Sequence, residues 1–113
     1  MLTIYHNPRC SKSREVLKKI EASGQMVQVV EYMKTVPSKE ELKDLIEMIG
    51  IKPEQLIRKG EADYKENFKG KSLTDDEWVE AMVQYPKLIE RPIVIKEKQA
   101  AVCRPPEKVE AFI

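Results

Sequence analysis

A chain of 113 residues is of a length to close one hydrophobic core, and no shift in composition marks a second. Hydrophobic residues make up 42% and charged residues 35%, with 20 basic side chains against 19 acidic, which excludes a disordered polyelectrolyte and any bulk attraction to nucleic acid or an anionic membrane. No run approaches the roughly 18 apolar residues of a membrane-crossing helix, and MLTIYHNPRC is not a leader with a basic start and an apolar middle, which points to a cytoplasmic protein.

Leu2 to Tyr5 is a short apolar run ended by His6, Asn7 and Pro8, which predicts a strand delivering a loop. Ser11 to Ser23 turns helical, with Val16, Leu17 and Ile20 on one face and Gly24 where a left-handed cap is wanted. Val27, Val29 and Val30 predict a second strand ending near Tyr32, and strand, helix, strand at this spacing is a right-handed βαβ unit with parallel strands. Ser38 and Glu41 form a capping box for a helix that turns Leu42, Leu45, Ile46 and Ile49 inward and stops at Gly50.

Pro53 opens a short helix through Arg58. Thr74 with Glu77 is a second capping box, ahead of Trp78, Val79, Met82 and Val83 at helical spacing, and this helix ends before Pro86. Pro92 precedes a strand from Ile93 to Ile95, the polar KEKQ forms a turn, and Ala100 to Cys103 completes an antiparallel hairpin. Pro105 and Pro106 then lead into a short helix from Glu107 to Ile113. This order predicts an α/β, thioredoxin-like fold in a single domain spanning residues 1–113. Its four-stranded mixed sheet carries a helical insertion between strands 2 and 3, over about residues 36–89.

Reactive chemistry concentrates at Cys10. It lies between the turn HNPR and the helix starting at Ser11, where unpaired backbone N–H groups and the positive end of the helix dipole favour a thiolate. Arg9, Lys12, Arg14 and His6 are close in sequence, although a helix projects its side chains in different directions and no more than two of them can face the sulfur. Ser13 stands three residues on, where a dithiol oxidoreductase has its second cysteine, so the motif closes no local disulfide and needs an external thiol. The Ser13 hydroxyl is expected to donate a hydrogen bond to the thiolate or to a bound oxygen. His6 either stabilises the thiolate as a cation or fixes the turn by hydrogen bonding, with the electrostatic role favoured.

The bland alternative is that Cys10 is a small buried apolar residue, but a polar, cation-rich turn is a poor place to bury one. Cys103 ends a predicted strand, serves core packing as readily as redox chemistry, and is assigned no role. With a single histidine and two cysteines at opposite ends of the sequence, the chain has no ligand set for zinc, and no metal is expected.

YHNPRCSKSR at Tyr5 to Arg14, LIRK at Leu56 to Lys59, ERPIVI at Glu90 to Ile95 and CRPPE at Cys103 to Glu107 follow one another nearly end to end. Together they resemble the arsenate reductases that use glutathione and glutaredoxin, and within that family the short bacterial arsenate-reductase-like proteins. The resemblance implies that Cys10 is the nucleophile, that His6 helps lower its pKa, and that Arg58, Arg91 and Arg104 bind the oxyanion. Taken singly, each arginine is an ordinary surface side chain; its place in a matching motif is what argues otherwise. A planar, permanently charged guanidinium with forked donors also suits a tetrahedral oxyanion better than the point charge of lysine.

Arg91-Pro92 also resembles the thioredoxin-fold signature in which a proline with a cis peptide bond opens the third strand beside the active cysteine, so a cis bond is expected at Pro92. The arsenate reductase resemblance further implies that Cys10 attacks arsenate or a similar oxyanion, that glutathione acts as co-substrate on the adduct, and that glutaredoxin takes the glutathione away as arsenite leaves. No bound cofactor is expected. The implied partners are these small molecules and glutaredoxin, with no nucleic acid and no membrane, and the chain is expected to act as a monomer.

Two other readings stay open. The same fold resembles a transcription regulator that binds the α subunit of RNA polymerase and senses oxidation, but such regulators carry a Cys-x-x-Cys pair, which Ser13 interrupts, and the three arginines would be superfluous to them. A glutathione-linked reductase of another oxyanion or of a mixed disulfide is the second, because an oxyanion pocket does not reveal which oxyanion turns over.

Overall fold

Alternation of side chains sets the first strand, β1 (Leu2–His6), in which Leu2, Ile4 and His6 are buried and Thr3 and Tyr5 half-buried, in a computed structural model that describes residues 1–113. β2 (Val27–Glu31) runs parallel to β1, with Leu2 beside Val27 and His6 beside Glu31. α1 (Ser11–Ala22) makes the crossover between them. β3 (Ile93–Lys96) is antiparallel to β1, pairing Tyr5 with Ile93, and β4 (Gln99–Val102) is antiparallel to β3, pairing Ile93 with Val102. The strand order β2-β1-β3-β4 is the mixed, thioredoxin-like sheet expected, with the helices inserted between β2 and β3.

The chain divides into two compact units, Met1–Thr35 with Arg91–Ile113, and Val36–Glu90. In the first, Leu2, Ile4 and Val94 of the sheet pack with Val16 and Ile20 of α1, with Cys103, and with Val109 and Phe112 near the end of the chain. In the second, α2 (Lys39–Ile49) and α4 (Asp75–Gln84) each start from a complete capping box, Ser38 with Glu41 and Thr74 with Glu77, so their first N–H groups are satisfied without tertiary help. α2 ends at Gly50 with φ 81°, a left-handed cap that a residue without Cβ adopts freely. Lys39 and Lys43 each reach Asp76 at 2.6 Å, and Trp78 packs against Tyr64 and Phe68 with ring centroids 6.3 and 6.0 Å apart.

Three local features depart from the sequence reading. A further helix, α3 (Ala62–Asn67), follows the 3₁₀ turn Pro53–Leu56, and its six residues, none fully buried, are too few to display a helical period. The β3-β4 turn is two residues long, because Lys96 and Gln99 pair across the ladder; polar side chains at a sheet end read the same in a strand as in a loop. The segment Pro106–Ala111 winds as 3₁₀ rather than α, with Phe112 N–H bonded to Val109 O three residues back. No helix is long and apolar enough to cross a membrane.

Candidate active site

Register gathers one end of the sheet. Because β3 runs antiparallel to β1, its start lies beside the end of β1, where the loop to Cys10 departs; because β4 runs antiparallel to β3, its end lies there too. Arg91, just before β3, and Arg104, just after β4, therefore share a corner, and Arg104 Nη1 donates to Arg91 O at 3.2 Å. Cys103 N–H bonds to Pro92 O at 2.9 Å and ties the two segments together. The Arg91–Pro92 and Arg104–Pro105 peptide bonds are both cis.

The loop that presents Cys10 is held from within. Asn7 Oδ1 accepts from Arg9 N–H at 3.0 Å, Cys10 N–H bonds to Asn7 O at 3.0 Å, and Arg14 Nη1 donates to Pro8 O at 2.9 Å. Cys10 is the half-buried N-cap of α1, with φ −93° and ψ 121°, and so stands at the free N–H groups of the first helical turn. Burial works against the thiolate, but hydrogen bonds from Ser13 N–H, from the Arg91 side chain and from Lys12 N–H, together with the Arg91 charge, outweigh it and hold the Cys10 pKa below the ordinary thiol value. Arg91 responds in kind. Burial lowers its pKa, while Tyr32 and Cys10 outweigh that and raise it.

His6 and Ser13 bond to each other within the loop. Ser13 is fully buried, its Oγ lies 2.6 Å from His6 Nδ1, and it accepts from Asn7 N–H at 3.1 Å. The hydroxyl is thus used inside the loop, and Ser13 serves the sulfur through its backbone N–H instead. His6 is 5% exposed; burial lowers its pKa, Arg14 adds to the lowering, and Glu31 and Glu21 oppose it without prevailing. The His6–Ser13 bond is the kind of contact that the second of the two roles, fixing the turn, calls for.

Tyr32 escapes a reading of the sequence. Fully buried, stacked on Tyr5 with centroids 6.4 Å apart, it sets its hydroxyl against the Arg91 guanidinium. Only its position at the end of a predicted strand offered a signal. Arg58 belongs to the Val36–Glu90 unit, where its N–H donates to Leu88 O at 2.7 Å and its Nη1 reaches Glu90 Oε1 at 3.0 Å. Its partner Glu90 immediately precedes Arg91 in the chain. Cys103 is fully buried in the core beside Leu2 and Ile4, and burial pushes its thiol up to about 11. No group of three or more His, Cys, Asp and Glu side chains is placed to hold a metal ion.

A family model described as the ArsC family matches residues 5–112. The chain belongs to the ArsC family. An arsenate reductase of Vibrio cholerae, known from a solved structure, is 47% identical and superposes with a TM-score of 0.94 over 99% of this chain and 97% of that one. The arsenate reductase of Escherichia coli K12 is 40% identical over 109 residues, 96% of this chain and 77% of its own length. An uncharacterized protein of the same organism, YfgD, is 44% identical over 108 residues, 94% of this chain and 91% of its own. Similarity to ArsC family members thus spans both the Cys10 loop and the segments that carry Arg58, Arg91 and Arg104.

Proposed function

We propose that this protein is an arsenate reductase that works through Cys10, with glutathione and glutaredoxin as its source of electrons. The observation that carries the reading is a cysteine at a helix N-terminus, held toward its thiolate by two backbone N–H groups and the Arg91 guanidinium, with no second thiol in its loop. Arsenate presents oxygens that forked, charged donors suit, and Arg91 and Arg104 stand at the same sheet end as the sulfur. Arg58 joins them in this reading on the strength of its LIRK motif. The relatives named as arsenate reductases support the choice of oxyanion.

In the proposed cycle the Cys10 thiolate attacks arsenic, one arsenate oxygen leaves as water, and a sulfur–arsenic(V) bond forms. A glutathione thiol then adds at arsenic with loss of a second water. A glutaredoxin thiolate attacks the glutathione sulfur, the electron pair of that sulfur–arsenic bond returns to arsenic, and arsenic becomes trivalent while a mixed disulfide departs. Water finally replaces Cys10 on arsenic and releases arsenite. Ser13 in place of a second cysteine explains why both electrons come from external thiols, and a cytoplasmic setting, where such thiols are kept reduced, belongs to the same reading, as does action by a monomer with no bound cofactor.

The test is turnover in a purified mixture of protein, arsenate, glutathione, glutaredoxin and a coupled reductant. Cys10→Ser is expected to abolish arsenate-dependent oxidation of the reductant with the fold retained by circular dichroism, and Lys at position 58, 91 or 104 is expected to raise the KM for arsenate. A wild-type protein silent with arsenate but active on another oxyanion would transfer the mechanism to that substrate.

A further inference from the structure

We propose that Arg9 and Lys12 dock the anionic thiol co-substrate, holding the carboxylates of a glutathione-class peptide while its sulfur approaches Cys10; this rests on the thiol-dependent reading above. Arg9 directly precedes Cys10 and Lys12 is the second residue of α1, so with consecutive Cα atoms about 3.8 Å apart both side chains are rooted within one turn of the sulfur. Both are exposed. Neither enters an ion pair or a side-chain hydrogen bond, and Glu15, one turn further along α1, bonds to neither.

The other arginines at this end of the sheet have internal partners. Arg14 is tied to Pro8 O, Arg104 to Arg91 O, and Arg91 to Cys10. Lys12 serves the sulfur through its backbone N–H, which leaves its side chain to other uses. No acidic residue occurs from Asn7 to Arg14.

Two classes of cation therefore flank the nucleophile. Half-buried guanidinium groups suit a small oxyanion, and long, exposed cations suit an extended anion arriving from solvent. A chain of net charge +1 attracts no anion in bulk, so selection between an anionic and a neutral thiol falls to such placed charges. Glutathione carries a carboxylate at each end and reacts through the sulfur between them.

The experiment compares disulfide exchange at Cys10 with oxidised glutathione and with the neutral bis(2-hydroxyethyl) disulfide, followed by intact mass. In each reaction the Cys10 thiolate attacks one disulfide sulfur, forms a mixed disulfide and releases the other half as thiolate. The readout is the ratio of the two rates. Arg9→Ala with Lys12→Ala is expected to lower that ratio roughly three- to tenfold, the scale of two exposed charge pairs, and Arg9→Lys with Lys12→Arg to preserve it. An unchanged ratio, including one in which both rates fall together, overturns the proposal.

Raising ionic strength on the wild-type protein gives a check that needs no variant. The ratio is expected to decline toward 1 M salt, where the screening length is about 3 Å, and a salt-independent ratio likewise overturns it. Neither arm contains arsenate, so a charge preference in exchange without arsenate turnover would sink the arsenate reading and leave the docking residues in place.

Discussion

Cys103 is sealed in the same cluster as Leu2, Ile4 and Val94, whereas Cys10 caps a helix opposite a guanidinium, and the two thiols shift in opposite directions. Their pH linkage differs accordingly. The folded chain holds the Cys103 proton more tightly than an unfolded thiol of pKa about 8.5, so its contribution is intact below that pH and is lost as pH rises toward about 11. The depressed pKa of Cys10 does the reverse, contributing above the unfolded value and losing its effect as pH falls through the folded one. Native protein titrated with iodoacetamide is therefore expected to take one label, at Cys10, with a rate midpoint below the free-thiol value, and a second only on unfolding. Tyr32→Phe tests whether the buried hydroxyl positions Arg91. Loss of that contact should move the Cys10 alkylation midpoint upward and raise the KM for arsenate, while a purely structural Tyr32 would cost stability and leave the midpoint where it was.

Among the elements, those with local stop and start signals are legible in the sequence. The capping boxes of α2 and α4 are contiguous motifs, and both helices begin where those motifs place them. The β3-β4 hairpin is legible as a pair of strands but not in its turn, where Glu97 takes φ 57°. A two-residue hairpin turn favours Gly or Asn at positive φ, since a Cβ there crowds the backbone by about 1–2 kcal/mol. Glu97→Gly relieves that strain and gives part of it back in unfolded-chain entropy. A net gain of roughly 0.5 kcal/mol in urea unfolding, with an unchanged slope, is the expected result. A loss of stability would mean that the Glu97 side chain contributes more than its backbone costs.

At the scale of the whole molecule, β1 is flanked by β2 and β3 and feeds the Cys10 loop, so the strand that anchors the sheet also aims the nucleophile. Ile4, fully buried between Val29 and Val94 in register, carries much of that anchoring. Ile4→Ala is expected to cost about 2–5 kcal/mol by denaturant unfolding, a large share of the 5–15 kcal/mol typical of a domain, and a cost under 1 kcal/mol would show a core that collapses around the gap. The sequence by itself determined the four strands, the long helices and the placement of Cys10 at a strand-to-helix turn, because each depends on residues within one or two turns of each other. Tertiary structure alone decided that Arg91 and Arg104 share a corner with that cysteine, that Tyr32 backs Arg91, and that the Ser13 hydroxyl turns to His6 instead of to the sulfur. Those contacts follow from strand register and from how a loop closes on itself, and neither is encoded in the local spacing of residues.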